Sequence, residues 1–274
     1  MPGMTQQRAQ AGIWLPLFDD LADPHVCTEL AREAEAAGWD GVFVWDHLQW
    51  RPPVRSAADP WIVMAAIAAA TTRVRIGPLV TPLPRRRPAK VARETVTLDR
   101  LSNGRLVLGV GIGHDRFGAE FTAFGEVTDD RIRADMLDES LAILTAAWTG
   151  QTVHHDGTHH RVDDVRFLPR PAQPTIPIWV AGTAGRRRPL ERAVRHDGFM
   201  PVSLTGPDQV AEVSHAVREQ RDPDSASPFD LIVPVPAGTD PAPYVAAGAT
   251  WWMPELDPEN LSVPDVLAVI RNGR

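Results

Sequence analysis

Eight short apolar runs, each followed by a stretch with helical spacing, constrain this chain of 274 residues more than any other feature. The runs are GIWLPLF (12–18), GVFVWDH (41–47), VRIGPLV (74–80), RLVLGVGIG (105–113), IPIWVAG (176–182), DGFMPVS (197–203), FDLIVPVP (229–236) and ATWWMPE (249–255). Most are apolar nearly throughout, the pattern of a parallel strand covered on both faces. The stretches between them carry helix punctuation. Asp23-Pro24 and Asp59-Pro60 each offer an N-cap followed by a proline in the first turn, and Gly38 and Asn103-Gly104 stand where helices should stop. Strands alternating with helices predict parallel βαβ units. A (β/α)8 TIM barrel accounts best for a count of eight, with a doubly wound open sheet as the alternative.

The length suits one barrel, so residues 1–274 read as a single domain, with 1–10 as a loose tail. One segment breaks the rhythm. QTVHHDGTHHRVDDVRFLPRPAQPTIP (151–177) reads as a hairpin turning at Asp156-Gly157, then an extended proline-rich stretch, and so as an insertion before strand five. The net charge of -7 gives no general attraction to nucleic acid. Cys27 is the single cysteine, which excludes an intrachain disulfide. No apolar run is long enough to cross a bilayer, and MPGMTQQRAQ lacks the apolar stretch of a secretory signal. The expectation is a cytoplasmic protein acting on a small molecule, with neither nucleic acid nor membrane as partner.

In a parallel barrel the active site lies in the loops that follow the strands. After strand two come Asp46, His47 and Trp50. There His47 could transfer a proton, Asp46 could orient it or cap the loop, and Trp50 could wall a planar ligand or pack as core. After strand four, His114 is a second candidate acid or base. GVGIGH (109–114) fails the dinucleotide fingerprint, because His114 falls where a third glycine is needed; its glycines suit close approach of a ring to the chain. GTAGRRR (182–188) and RRRP (85–88) both place arginines before a helix. Each reads as an anion site or as a solvated charge run, and the second also as a cap on the outer surface. HHDGTHH (154–160) could hold zinc across a hairpin but lacks the spacing of a full tetrahedral set, so no metal is assigned. Trp251 and Trp252 should face opposite sides of the last strand.

Several of these stretches together resemble the luciferase-like superfamily of flavin- and coenzyme F420-dependent oxidoreductases. They are GVFVWDHL, IGPLVTPLPRRRPAKVARETVTLDRLSNGRLVLGVGIG, AEFTAFG (119–125), PTIPIWVAG with the following DGFMP, and AGATWWMPE. The resemblance implies a luciferase-like barrel, a flavin-type ring in its mouth, a phosphate on rim loops, and a homodimer. It implies F420 with hydride transfer or FMN with monooxygenation. A non-catalytic flavin-binding barrel is the reading outside the enzymes. It also implies a non-proline cis peptide bulge after strand three, matching Pro78, Leu79 and Val80. DHLQW is similar to the corresponding stretch of deazaflavin-dependent sugar-phosphate dehydrogenases, in which an Asp-His pair and a nearby tryptophan line the site. That favours F420 and carries over Asp46, His47 and Trp50; the catalytic candidates are then His47 and Asp46, with His114 second from its own place after strand four. Cofactor contacts fall to Trp50, Pro78, Leu79, Val80, Gly111, Gly113, Gly182, Thr183 and Arg186. Two departures stand out: the tryptophan lies one residue closer to the histidine, and His114 replaces a glutamate acid. The second argues against the same sugar-phosphate reaction.

Overall fold

The computed structural model describes residues 8–221 and 228–273. Eight parallel strand positions form the barrel: β1 (Gln10–Leu15), β2 (Gly41–Val44), β3 (Arg75–Pro78) with β4 (Thr81–Pro82), β5 (Leu108–Gly111), β8 (Ile178–Thr183), β9 (Gly198–Val202), β10 (Asp230–Pro236) and β11 (Trp251–Glu255). The antiparallel pair β6 (Thr152–Asp156) and β7 (Arg161–Arg166) is the expected insertion. Its loop spans residues 157–160, because Asp156 pairs with Arg161 and the Gly157 N–H donates to the His160 carbonyl. The two-residue turn expected at Asp156-Gly157 is therefore a four-residue loop.

The barrel order is β3-β2-β1-β11-β10-β9-β8-β5-β4. β3 pairs with β2 and β4 with β5, so the third strand is shared between two neighbours and broken at Leu79-Val80, a cis peptide. A parallel bridge between Ile76 and Leu106 closes the circle and removes the open-sheet alternative. Gly77 permits that closure, since a Cβ there would lie 1.9 Å from the Val107 carbonyl oxygen.

Helices α1 (Pro24–Ala36), α2 (Pro60–Ala70), α3 (Pro88–Leu101), α4 (Asp130–Trp148), α5 (Arg187–Ala193), α6 (Pro207–Gln220), α7 (Ala242–Ala246) and α8 (Val263–Asn272) form the outer layer. The Asp-Pro starts behave as read. Asp23 accepts from the His25 N–H, and Asp59 from those of Trp61 and Ile62, which satisfies donors the helix cannot. The expected tail over 1–10 lies on residues 1–7 outside the described ones, and Gln10 already pairs with Trp251.

Two cores follow from strands covered on both faces. The larger lies between sheet and helices. The smaller fills the barrel with Phe43, Leu79, Val107, Trp179, Met200, Ile232, Trp251 and Met253. The rings of Phe43, Trp179 and Trp251 lie 5.2–5.7 Å apart. Trp251 points inward and Trp252 outward against Trp39, as strand alternation requires. Trp14, Val80 and Ala181 pack on this cluster only partly buried, so the barrel is plugged below.

Candidate active site

The strand-two loop turns in at once. Val44 ends β2 in the outer core, and Asp46 is almost fully buried two residues later. A buried carboxylate needs compensation, and Asp46 receives it from the loop after strand three. Arg85 Nη2 donates to the Asp46 carbonyl at 2.6 Å and to Oδ1 at 2.8 Å. Arg86 donates to Oδ2 through Nη2 at 2.7 Å and Nε at 3.1 Å, and the Thr81 hydroxyl donates to the same oxygen at 2.5 Å. RRRP (85–88) is thus neither an outer cap nor a free anion site, because its first two arginines are committed to a buried network.

Arg85 has a second partner. Its Nη1 donates to Glu120 Oε1 at 2.7 Å, and the Leu48 N–H donates to the same oxygen at 2.5 Å. Glu120 Oε2 lies 2.6 Å from His47 Nδ1. The chain Arg86–Asp46–Arg85–Glu120 therefore alternates in charge and runs from the interior to the mouth, where it ends on His47, which keeps a fifth of its side chain exposed. Burial works to raise the Glu120 pKa. The hydrogen bond from His47 and the charges of His47 and Arg85 outweigh it and hold the carboxyl below its usual range. Among the described residues the side chain of Asp46 reaches His47 through this relay, and the carboxylate in hydrogen-bond contact with the imidazole is that of Glu120. In the sequence AEFTAFG carried no role for Glu120. An acid beside the core aromatic Phe121 was the available signal, and it does not name a partner 73 residues away.

An aromatic wall surrounds His47. Trp50 meets it edge-on at 4.9 Å and stacks on Phe117 at 4.6 Å. Phe18 and Trp45 lie 5.9 and 5.6 Å from the imidazole. The indole N–H groups of Trp45 and Trp50 are buried with no hydrogen-bond partner among the described residues. His114 lies 5.3 Å from Phe117 on the same side of the mouth. Its Nδ1 accepts from the Arg116 N–H at 3.3 Å, and burial, then the charge of His47, lower its pKa.

Pro78, Leu79 and Val80 form the floor. The Leu79 carbonyl accepts from the Trp14 indole at 2.6 Å, and Val80 packs beside Trp14 and Ala181 over the inner cluster. A Cβ on Gly111 would lie 3.1 Å from Val80 Cγ2. Gly113 has φ +70°, and a Cβ there would meet Phe121 at 2.5 Å and Pro82 at 2.9 Å, so protein already fills that space. Gly182, Thr183 and Arg186 lie apart, at the end of β8 and the start of α5. The space at Gly182 is taken by Pro189, while Arg186 is exposed with no acidic partner among the described residues.

The histidine-rich hairpin is tied to α4. Glu139 accepts from the N–H groups of Thr158, His159 and His160, and its Oε2 lies 3.5 Å from His155 Nε2. Buried His160 reaches the Ser140 hydroxyl at 3.3 Å. Among the described residues the only grouping with metal-ligand spacing is His154, Asp163 and Asp164, all exposed, and not the four histidines.

A model of the luciferase-like monooxygenase family matches residues 4–248. The F420-dependent glucose-6-phosphate dehydrogenase of Segniliparus rotundus is 33% identical over 241 residues, covering 85% of this chain and 70% of that protein. The structure of monooxygenase RslO1 from Streptomyces bottropensis is 28% identical with a TM-score of 0.68, covering 83% of this chain and 71% of its own. An F420-dependent secondary alcohol dehydrogenase in complex with an F420-acetone adduct aligns with a TM-score of 0.73 at 23% identity, covering 97% of this chain and 82% of its own, and shares the fold.

Proposed function

The chain belongs to the luciferase-like monooxygenase family, and from that premise we propose how its barrel mouth works. The protein is a flavin-type oxidoreductase that uses coenzyme F420 or FMN. The observation that carries the site reading is His47. It stands at the mouth, anchored through Nδ1 by a buried carboxylate, with Nε2 engaged by no protein group among the described residues.

The mouth fits a flat, anionic coenzyme. Among the described residues two buried indole donors lack partners and Arg186 is an unpaired rim cation, and a plugged floor offers Trp14 and Val80. Pro78, Leu79, Val80, Gly111 and Gly113 would lie under and beside the ring, with Trp50 as a wall. Gly182, Thr183 and Arg186 would take its phosphate. When bound, such a coenzyme supplies hydride transfer, or, as reduced FMN, oxygen activation. His47 would take or give the substrate proton, His114 would back it, and Asp46 would hold the arginine pair beneath.

F420 is the favoured coenzyme. The Asp46–His47–Trp50 stretch supports it, as does the F420-dependent relative. The substrate differs from a sugar phosphate. His114 stands where an acid is expected, and Arg85 and Arg86 are already neutralised by Asp46 and Glu120. The second reading, an FMN-dependent monooxygenase, rests on the family model and on RslO1.

His47→Ala tests both. Reduction of F420 over a panel of alcohols should fall by about 10²–10⁴ while F420 affinity is kept. Undiminished turnover would contradict the role of His47. Oxygen consumption with reduced FMN would select the monooxygenase. Tight coenzyme binding without turnover in either protein would select a non-catalytic barrel.

No helix among the described residues is long and apolar enough to cross a membrane. We read the protein as a cytoplasmic homodimer. Helix α2 supports the dimer: it is apolar throughout, and Ile62 remains 66% exposed on its outer side.

A further inference from the structure

We propose that Glu120 is a positioning residue whose carboxylate, by accepting three hydrogen bonds, forces His47 to carry its proton on Nδ1 and to present a bare Nε2 to the barrel mouth. Its part in turnover rests on the redox reading above; the tautomer does not. An ionised carboxylate offers acceptors only. Oε1 is filled by the Leu48 N–H at 2.5 Å and Arg85 Nη1 at 2.7 Å, leaving Oε2 for His47 Nδ1 at 2.6 Å. The Glu120 side chain is 4% exposed, so water does not compete for it. A neutral imidazole with Nδ1 against an acceptor has one tautomer. Arg85 is itself locked by Asp46, so the carboxylate cannot turn away.

The same census predicts what the near-isosteric Glu120→Gln does. One oxygen becomes an NH2 donor. Placed at Oε1, it would face two donors, one of them the Arg85 cation. Placed at Oε2, it faces only His47, which can respond by releasing Nδ1 to accept. The amide therefore settles with its oxygen toward Arg85 and Leu48. His47 then moves its proton to Nε2, and the side that faces the mouth changes from acceptor to donor.

The experiment compares wild type with Glu120→Gln, both carrying [15N]histidine, by long-range 1H–15N correlation, with the pH raised until the imidazole 15N shifts no longer change. His47→Gln assigns the signal among the nine histidines of the chain. Wild type should show the Nδ1–H tautomer and Glu120→Gln the Nε2–H tautomer. In F420-linked oxidation of a secondary-alcohol panel, kcat of the variant should fall by about 10²-fold or more, with the KM for F420 changed less than about threefold. An Nε2–H tautomer in the wild type overturns the proposal, and that spectrum decides even if the variant does not fold. An unchanged tautomer in a folded variant, or a switched tautomer with kcat unchanged, also overturns it. A switch in a wild type that turns over with neither coenzyme supports the positioning and counts against the redox reading.

Discussion

Asp46 shows how a single residue can serve the candidate site through the neighbours it holds. It is buried and meets two guanidinium groups and a hydroxyl, so its charge is spent on holding Arg85 and Arg86 in place. A buried ion pair adds little net stability, but removing one partner strands the other. Asp46→Ala should therefore lower the free energy of unfolding by about 3–5 kcal/mol, read from urea denaturation. A loss below about 1 kcal/mol would mean that Arg85 and Arg86 find water instead. The place of Asp46-His47 beyond the end of a barrel strand was legible in the sequence. The division of labour within it was not, because orientation of His47 comes from Glu120, and sequence adjacency suggested Asp46.

Elements here are joined by single carboxylates reading backbone N–H groups. Glu139 of α4 gathers three from the hairpin loop and ties that loop to the helix through backbone N–H groups, whatever their side chains. Glu35 of α1 does the same before β3. It accepts from the N–H groups of Thr72, Arg73 and Val74 and from the Thr72 hydroxyl. Burial is the largest single influence and opposes its ionisation, but these bonds together overcome it and lower its pKa from 4.5 to about 2. A depressed carboxylate stabilises the fold above its unfolded pKa and loses that contribution as pH falls through the folded one. The stability gap between wild type and Glu35→Gln should be about 1–2 kcal/mol at neutral pH after allowance for solvent screening. It should close between 4.5 and about 2. A gap independent of pH would contradict the assignment. Buried Arg105 is the cationic counterpart: it donates to the carbonyls of Ala68, Thr71, Val74 and Ser102, so it caps the C-terminus of α2 without an acid. None of these ties has a periodic signature, so none was readable in advance.

At the scale of the molecule the sequence is a good guide. Covered parallel strands read as continuous apolar runs, Asp-Pro starts its helices, and eight of each leave few topologies. The break in strand three and the Ile76–Leu106 closure needed coordinates, because VRIGPLV reads as one uninterrupted run. The rim loops were harder still. Arginine runs look alike in sequence, yet Arg85 and Arg86 are committed inside while Arg186 stands exposed. The central claim is that this mouth holds a flavin-type coenzyme over its plugged floor. It is tested most directly by equilibrium titration of the apo protein with F420 and, separately, with FMN, following ring fluorescence. Binding of F420 at about micromolar affinity or tighter, with FMN weaker, is the predicted result. Binding of neither coenzyme would contradict it.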